Sequence, residues 1–113
     1  MLVNSEIIEE LCIDAGKERT EKAKTYKNEG RVEINKVEYE NKNNFEVSAL
    51  VYGKEKYNTF ISVKQGEVDD ILCNCPDYEK TYGVCKHTLA TILELETYKK
   101  PINETKINEL NNK

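Results

Sequence analysis

Three of the four cysteines and the only histidine of this 113-residue chain fall within fifteen residues of one another. They form two pairs with the same one-residue gap, Cys73-Asn74-Cys75 and Cys85-Lys86-His87, separated by nine residues. Thiolate and imidazole are the donors that zinc prefers, and four of them in a tetrahedron satisfy it without water. Residues two apart in an extended segment point to the same side, so Cys73 and Cys75 can offer two sulfurs to one ion. Pro76 then redirects the chain, and a loop flexible at Gly83 brings the second pair back. Cys85 and His87 open a helix, where free N–H groups and the helix dipole favour thiolate over thiol. Any one of these cysteines alone would read as a small buried hydrophobe. A redox Cys-x-Cys switch would leave Cys85 and His87 without a role. The set as a whole predicts one structural zinc site, closed on all four sides. With His87 spent as a ligand, no second histidine remains to serve as a catalytic base.

The elements that must hold these residues follow from hydrophobic spacing. Asn4 or Ser5 is a candidate cap for a first helix whose stripe is Ile7, Ile8, Leu11, Cys12 and Ala15. Cys12, on that stripe, is read as core. Gly16 breaks the helix. A second, mostly polar helix is predicted over 19–29, with Ala23 and Tyr26 inward and Gly30 as its C-terminal cap. From Arg31 the period becomes two. Val32 and Ile34 alternate, and Val37 and Tyr39 resume in the opposite phase, which predicts a β-bulge near Asn35–Lys36. A turn over Asn41–Asn44 leads to Phe45, Val47, Ala49 and Val51. A turn at Gly53-Lys54-Glu55 leads to Tyr57, Thr59, Ile61 and Val63, and Gln65-Gly66-Glu67 leads to a last strand over Val68–Cys73. Short turns between consecutive strands predict an antiparallel meander. After the loop 76–83, Leu89, Ala90, Ile92 and Leu93 follow helical spacing to about Tyr98, and Pro101 stops that helix. The fold class is therefore α+β: N-terminal helices over 5–30, a small antiparallel sheet over 31–73, and a finger and helix over 73–98 packed on the sheet through Leu89, Ile92 and Leu93. Residues 1–100 read as one domain and 101–113 as a linker or tail.

Composition agrees with a metal cross-link. The apolar share is roughly 36% on the count that omits tyrosine and includes glycine, against about 45–50% in ordinary soluble domains, so the core should be thin. No apolar stretch near Met1 reads as a signal peptide and none is long enough to span a bilayer, which predicts a reducing, cytoplasmic setting in which cysteines bind metal. The abundance of Asn, Lys, Glu and Ile suggests an AT-rich bacterial genome. The formal charge of −4 argues against strong non-specific binding of nucleic acid. That charge is unevenly spread. Over 17–31, Lys17, Arg19, Lys22, Lys24, Lys27 and Arg31 outnumber Glu18, Glu21 and Glu29. Over 67–87, Glu67, Asp69, Asp70, Asp77 and Glu79 outnumber Lys80 and Lys86.

Cys73-Asn74-Cys75-Pro76 followed by Cys85-Lys86-His87 resembles the SWIM zinc finger. Upstream, Ala23-x-x-Tyr26-x-x-x-Gly30-Arg31-Val32 and two alternating strands are similar to the N-terminal region of bacterial Swi/Snf-family helicase-like ATPases, so that the resemblance spans roughly residues 15–98. It implies a zinc-binding accessory module that contacts DNA or protein beside a catalytic engine. No Gly-x-x-x-x-Gly-Lys-Ser/Thr phosphate loop occurs here. The expectation is a non-catalytic domain, without a small-molecule substrate or membrane partner, that is either the excised N-terminal domain of such an ATPase or a free-standing SWIM finger.

Two functions stay open at this level. Lys22, Lys24, Lys27 and Arg31, with Tyr26 available for stacking, could make weak, salt-sensitive contacts with DNA; the same segment also reads as a solvated helix face with local ion pairs. The acidic zinc region, with Asp77, Tyr78, Glu79 and Tyr82 in its loop, instead suits a basic protein partner.

Overall fold

The computed structural model describes residues 2–76 and 84–98. Of the predicted loop 76–83, residues 77–83 with Tyr78 and Tyr82 lie outside the described residues, as does the stretch 101–113. Two helices come first, α1 Ser5–Ala15 and α2 Lys17–Asn28. Four strands follow, β1 Val32–Asn41, β2 Asn44–Tyr52, β3 Lys56–Lys64 and β4 Glu67–Cys73, and then a last helix, α3 Lys86–Glu96. The strands form an antiparallel meander in the order β1-β2-β3-β4. The α+β architecture and its element order are as expected from the periods.

Asn4 caps α1 by accepting a hydrogen bond from the backbone N–H of Glu6 at 3.0 Å. Gly16, at φ 87°, ends α1 and starts α2 in a single residue. Helix α2 therefore begins two residues earlier than the expected 19, since a left-handed glycine can reverse the chain with no further residue. Gly30 (φ 69°) turns the chain out of α2. The register of β1 against β2 shifts between Ile34 and Lys36, the position at which the hydrophobic phase slips. Between β3 and β4 the turn needs only Gln65 and Gly66, both at positive φ (53° and 77°). This mirror-image geometry matches the twist of the strands, so Glu67 joins β4 rather than the turn. Asn43 and Asn44 hold that turn from the other hairpin, through Gly66 N–H to Asn43 O at 2.9 Å and Gln65 N–H to Asn44 Oδ1 at 3.0 Å.

Helix α3 lies against all four strands and also against α1 and α2, which makes it the centre of the molecule. Leu89, Ala90, Ile92 and Leu95 are fully buried, together with Thr88 and Thr91. Leu93, expected to face the sheet, is half-buried and packs against the core, while Leu95 is fully enclosed. One turn beyond Ile92 is Leu95, while Leu93 lies about 100° around the helix from Ile92. Val3, just before α1, with Ile7, Leu11 and Ala15 of α1 and Ala23 of α2, closes the core on one side, and Phe45, Val47, Ile61 and Val63 close it from the sheet. Cys12 is half-buried and packs on this core, as its place on the α1 stripe predicts.

Candidate metal centre

Each half of the site is positioned by a different device. Cys73 is the last residue of β4 and pairs with Thr59 on the helix-covered face of the sheet. Beyond it the backbone ladder stops, and Asn74 continues it with its side chain: Asn58 N–H donates to Asn74 Oδ1 at 2.8 Å. This bond fixes the residue between the two cysteines, a role that the spacing alone did not reveal. Cys85 is the N-cap of α3. Its sulfur accepts from Thr88 N–H at 3.5 Å, and its own N–H donates to Thr88 Oγ1 at 3.1 Å. A cysteine thus makes the reciprocal cap that serine or threonine ordinarily makes. His87 follows in the first turn of the helix.

The four side chains meet. Cys73, Cys75, Cys85 and His87 are all buried, and their donor atoms lie within 4.8 Å of one another. His87 Nδ1 is 3.8 Å from Cys73 Sγ and 4.0 Å from Cys85 Sγ. Ligands on a tetrahedral zinc, with Zn–S of about 2.3 Å and Zn–N of about 2.0–2.1 Å, stand about 3.8 Å apart for sulfur pairs and about 3.6 Å apart for sulfur and nitrogen. The two sulfur–nitrogen spacings are within about 0.4 Å of this, and the widest donor pair within about 1 Å. The donor set therefore fits one zinc ion, held by three thiolates and Nδ1 of His87. Bound there, zinc supplies no open coordination position; it supplies a cross-link between β4 and α3.

The protonation pattern points the same way. Cys85 is pulled down to about 3 by a hydrogen bond from the Cys73 thiol, then by His87 and by the N–H and hydroxyl of Thr88, against the opposing effect of burial. Cys73 is pushed up by the thiolate of Cys85 beside it and by burial. Zinc binds thiolates, so ligation there would displace the thiol protons.

Around the ligands is a second layer. The Tyr57 ring stacks on the His87 ring with centroids 4.2 Å apart and planes 22° apart, and Tyr26 approaches at 5.5 Å. Gly53 packs closely against them: a Cβ there would come within 3.1 Å of Tyr57 Cε2 and 3.2 Å of the Tyr26 hydroxyl, so the rings would have to give by a few tenths of an ångström. Below, Thr91 donates to the His87 carbonyl at 3.0 Å, Thr91 and Thr59 hydroxyls are 2.7 Å apart, and Thr59 reaches the Ala49 carbonyl at 3.2 Å. Two hydroxyl hydrogens serve these three contacts, so the chain has two bonded states and always lacks one bond. It ties the metal-bearing helix to β2 and β3 through the core.

The residues proposed for nucleic acid are not gathered in this way. Lys22 and Lys24 lie about 200° apart around α2, on opposite flanks of the buried Ala23. Lys22 is 3.4 Å from Glu18 and Arg31 is 2.7 Å from Glu29, and both pairs are solvent-exposed. Lys22 shares its flank with Tyr26 at i,i+4, and the Arg31 guanidinium stands 6.0 Å from the Tyr26 ring centroid. On that flank the fold adds residues from elsewhere in the chain: Tyr26, Lys54, Tyr57, Lys86 and His87 line a hollow of about 310 Å³ with Cys75 and Pro76. Lys54 and Lys86 carry no sequence signal that would have joined them to Tyr26.

A buried three-cysteine, one-histidine site that closes a strand onto a helix defines a structural zinc finger. Residues 57–96 match the family model of the SWIM zinc finger, so the chain carries a SWIM zinc-finger module with its metal-binding site. The match begins at Tyr57, the residue stacked on His87, and takes in β3, β4 and α3. No curated protein and no solved structure matches the chain. No helix among the described residues is long and apolar enough to cross a membrane.

Proposed function

We propose that this chain is a non-catalytic, zinc-stapled accessory module of a bacterial, cytoplasmic Swi/Snf-type ATPase, and that it contacts single-stranded or distorted DNA beside its zinc site. The observation that carries this reading is the hollow formed by Tyr26 and Tyr57 with Lys54 and Lys86 at its border. Both rings are half-buried, so each is fixed by packing and still presents an edge or face to solvent. Bases stack on aromatic rings regardless of sequence, while nearby cations neutralise the phosphates. Arg31 and Lys22 extend the positive flank, each weakened by its own ion pair. Lys24 and Lys27 add only long-range attraction. Binding on an acidic chain with a zinc–trithiolate of formal charge −1 is therefore weak.

The test is fluorescence anisotropy with a labelled single-stranded oligonucleotide, on the zinc-loaded chain and over a range of salt. Affinity should fall as salt rises, with a slope near −0.7 per phosphate contacted. Lys54→Glu with Lys86→Glu, and separately Tyr26→Leu, should each weaken binding about tenfold or more while zinc content stays at one per chain. Salt-independent binding, or binding indifferent to these changes, would refute the assignment.

A further inference from the structure

The helices cover one face of the sheet, and among the described residues no helix covers the other. On the open face, register sets Glu38 opposite Glu46, Glu46 opposite Ser62 and Ser62 opposite Asp70, a row that crosses all four strands. Carboxylates directly opposite one another oppose folding, so such a row is not there for stability. Three lysines share this face, and each is engaged: Lys36 with Glu38 at 3.1 Å, Lys64 with Asp69 at 3.4 Å, and Lys56, at the far end of β3, over the Tyr52 ring at 5.8 Å. Glu46 has no cationic partner among the described residues. In the middle of the row Ser62 is 2% exposed, and its hydroxyl has no hydrogen-bond partner. The polar row is thus unfinished.

Beside it runs a row that begins at Lys36 and Ser48 and becomes apolar on β3 and β4. Ser48 stands opposite Phe60 and Phe60 opposite Leu72, and Leu72 is 47% exposed. A hollow of about 600 Å³ is lined in part by Glu38, Glu46 and Ser62, and one of about 450 Å³ by Phe60 and Leu72. An acidic hollow next to an apolar one calls for an occupant with the complementary pair of properties. Phosphate is repelled by the row. A metal ion is not its occupant either, since among the described residues the donors that converge on one point are those of the cysteine–histidine site.

The geometry points to a docking face for a basic segment of a protein partner, with cationic side chains over Glu46 and Asp70 and one large apolar side chain on Phe60 and Leu72. The acidic row lies on the sheet face away from the helices, and the hollow at Phe60 and Leu72 ends at Cys73 and Asn74 beside the zinc site; the proposal does not rest on the nucleic-acid reading.

The experiment uses the full zinc-loaded chain and labelled octapeptides of glycine and serine that carry two arginines and one leucine in every order. A matched set has glutamate for arginine. At least one arginine–leucine peptide should bind saturably. Glu46→Lys with Asp70→Lys, and separately Leu72→Ser, should weaken it about tenfold or more, leaving zinc content and oligonucleotide affinity unchanged. Should the double lysine variant lose zinc, Glu46→Gln and Leu72→Ser carry the test. Four outcomes overturn the proposal: no arginine–leucine peptide binds, the glutamate set binds equally well, the substitutions leave affinity unchanged, or the chain self-associates through this face and loses that association in the same variants.

Discussion

At the scale of the residue, His87 concentrates the chemistry. Its Nδ1 faces two of the sulfurs, its carbonyl is held by Thr91, and its ring is clamped by Tyr57. With Nδ1 given to the metal, the proton stays on Nε2, which is buried and has no partner. Such a group costs about 1–3 kcal/mol, and the metal bond has to exceed that cost. His87→Ala should therefore hold zinc much more weakly, because three thiolates and a water make a poorer structural site. His87→Cys should keep one zinc per chain with some loss of affinity, since a four-cysteine tetrahedron also suits the ion but cysteine reaches less far. Native mass spectrometry and chelator competition on the two variants decide the matter. An alanine variant with unchanged affinity, differing from the parent by only about 1 kcal/mol in stability as for a lost cap, would remove His87 from the ligand set. The one-residue gaps made these four ligands legible in the sequence. The tyrosine clamp and the bare Gly53 were not, because Tyr26, Gly53 and Tyr57 belong to three elements whose approach no local pattern encodes.

At the scale of the element, α3 does two jobs at opposite ends. Its first turn carries Cys85 and His87, and its last carries Leu95 into the core. Loss of packing at Leu95 should loosen the helix as a whole and with it the metal. Leu95→Ala is expected to destabilise the zinc-loaded protein by about 2–5 kcal/mol, and Leu93→Ala, at a half-buried position, by distinctly less. Urea unfolding of the two variants measures this ordering, and equal losses would contradict it. The periodicity from Leu89 onward was enough to locate this helix. It was not enough to orient it, since Leu93 and Leu95 are chemically alike and only the neighbours α1, α2 and the sheet decide which is enclosed. Thr88 and Thr91 were unreadable for the same reason. A threonine on a helix is ordinarily solvent-facing, and its burial here depends on partners, Cys85 and Thr59, that are distant in sequence or spent on another task.

At the scale of the molecule, the metal joins α3 to β4, the strand that this helix touches least. Residue Cys73 ends an edge strand whose Val68 and Leu72 are exposed, and α3 is the element that every layer touches. Zinc binding therefore reports on folding, and ligand closure is part of the folding free energy. Removing zinc with a chelator at neutral pH should melt at least the region from Cys73 to Tyr98, seen as lost hydrogen-exchange protection in α3 and lost helical signal. The β1–β2 hairpin, with no ligand of its own, should be affected less. Retention of full α3 protection without metal would show that the core alone carries the fold.

What the sequence by itself determined is whatever depends on neighbours along the chain. The order of helices and strands, the bulge between Ile34 and Lys36, the turns, and the four ligands all follow from spacing over a few residues, because backbone period and ligand reach are local quantities. Only the tertiary structure decided which surfaces exist. The basic segment 17–31 is one run in sequence, yet helix geometry divides it between two flanks and ion pairs occupy Lys22 and Arg31. The aromatic and basic hollow joins α2, the β2–β3 turn, β3 and α3, and the acidic row joins one residue from each of four strands. Such patches arise from register and layer packing, which are set by the sum of many contacts rather than by any one stretch of chain.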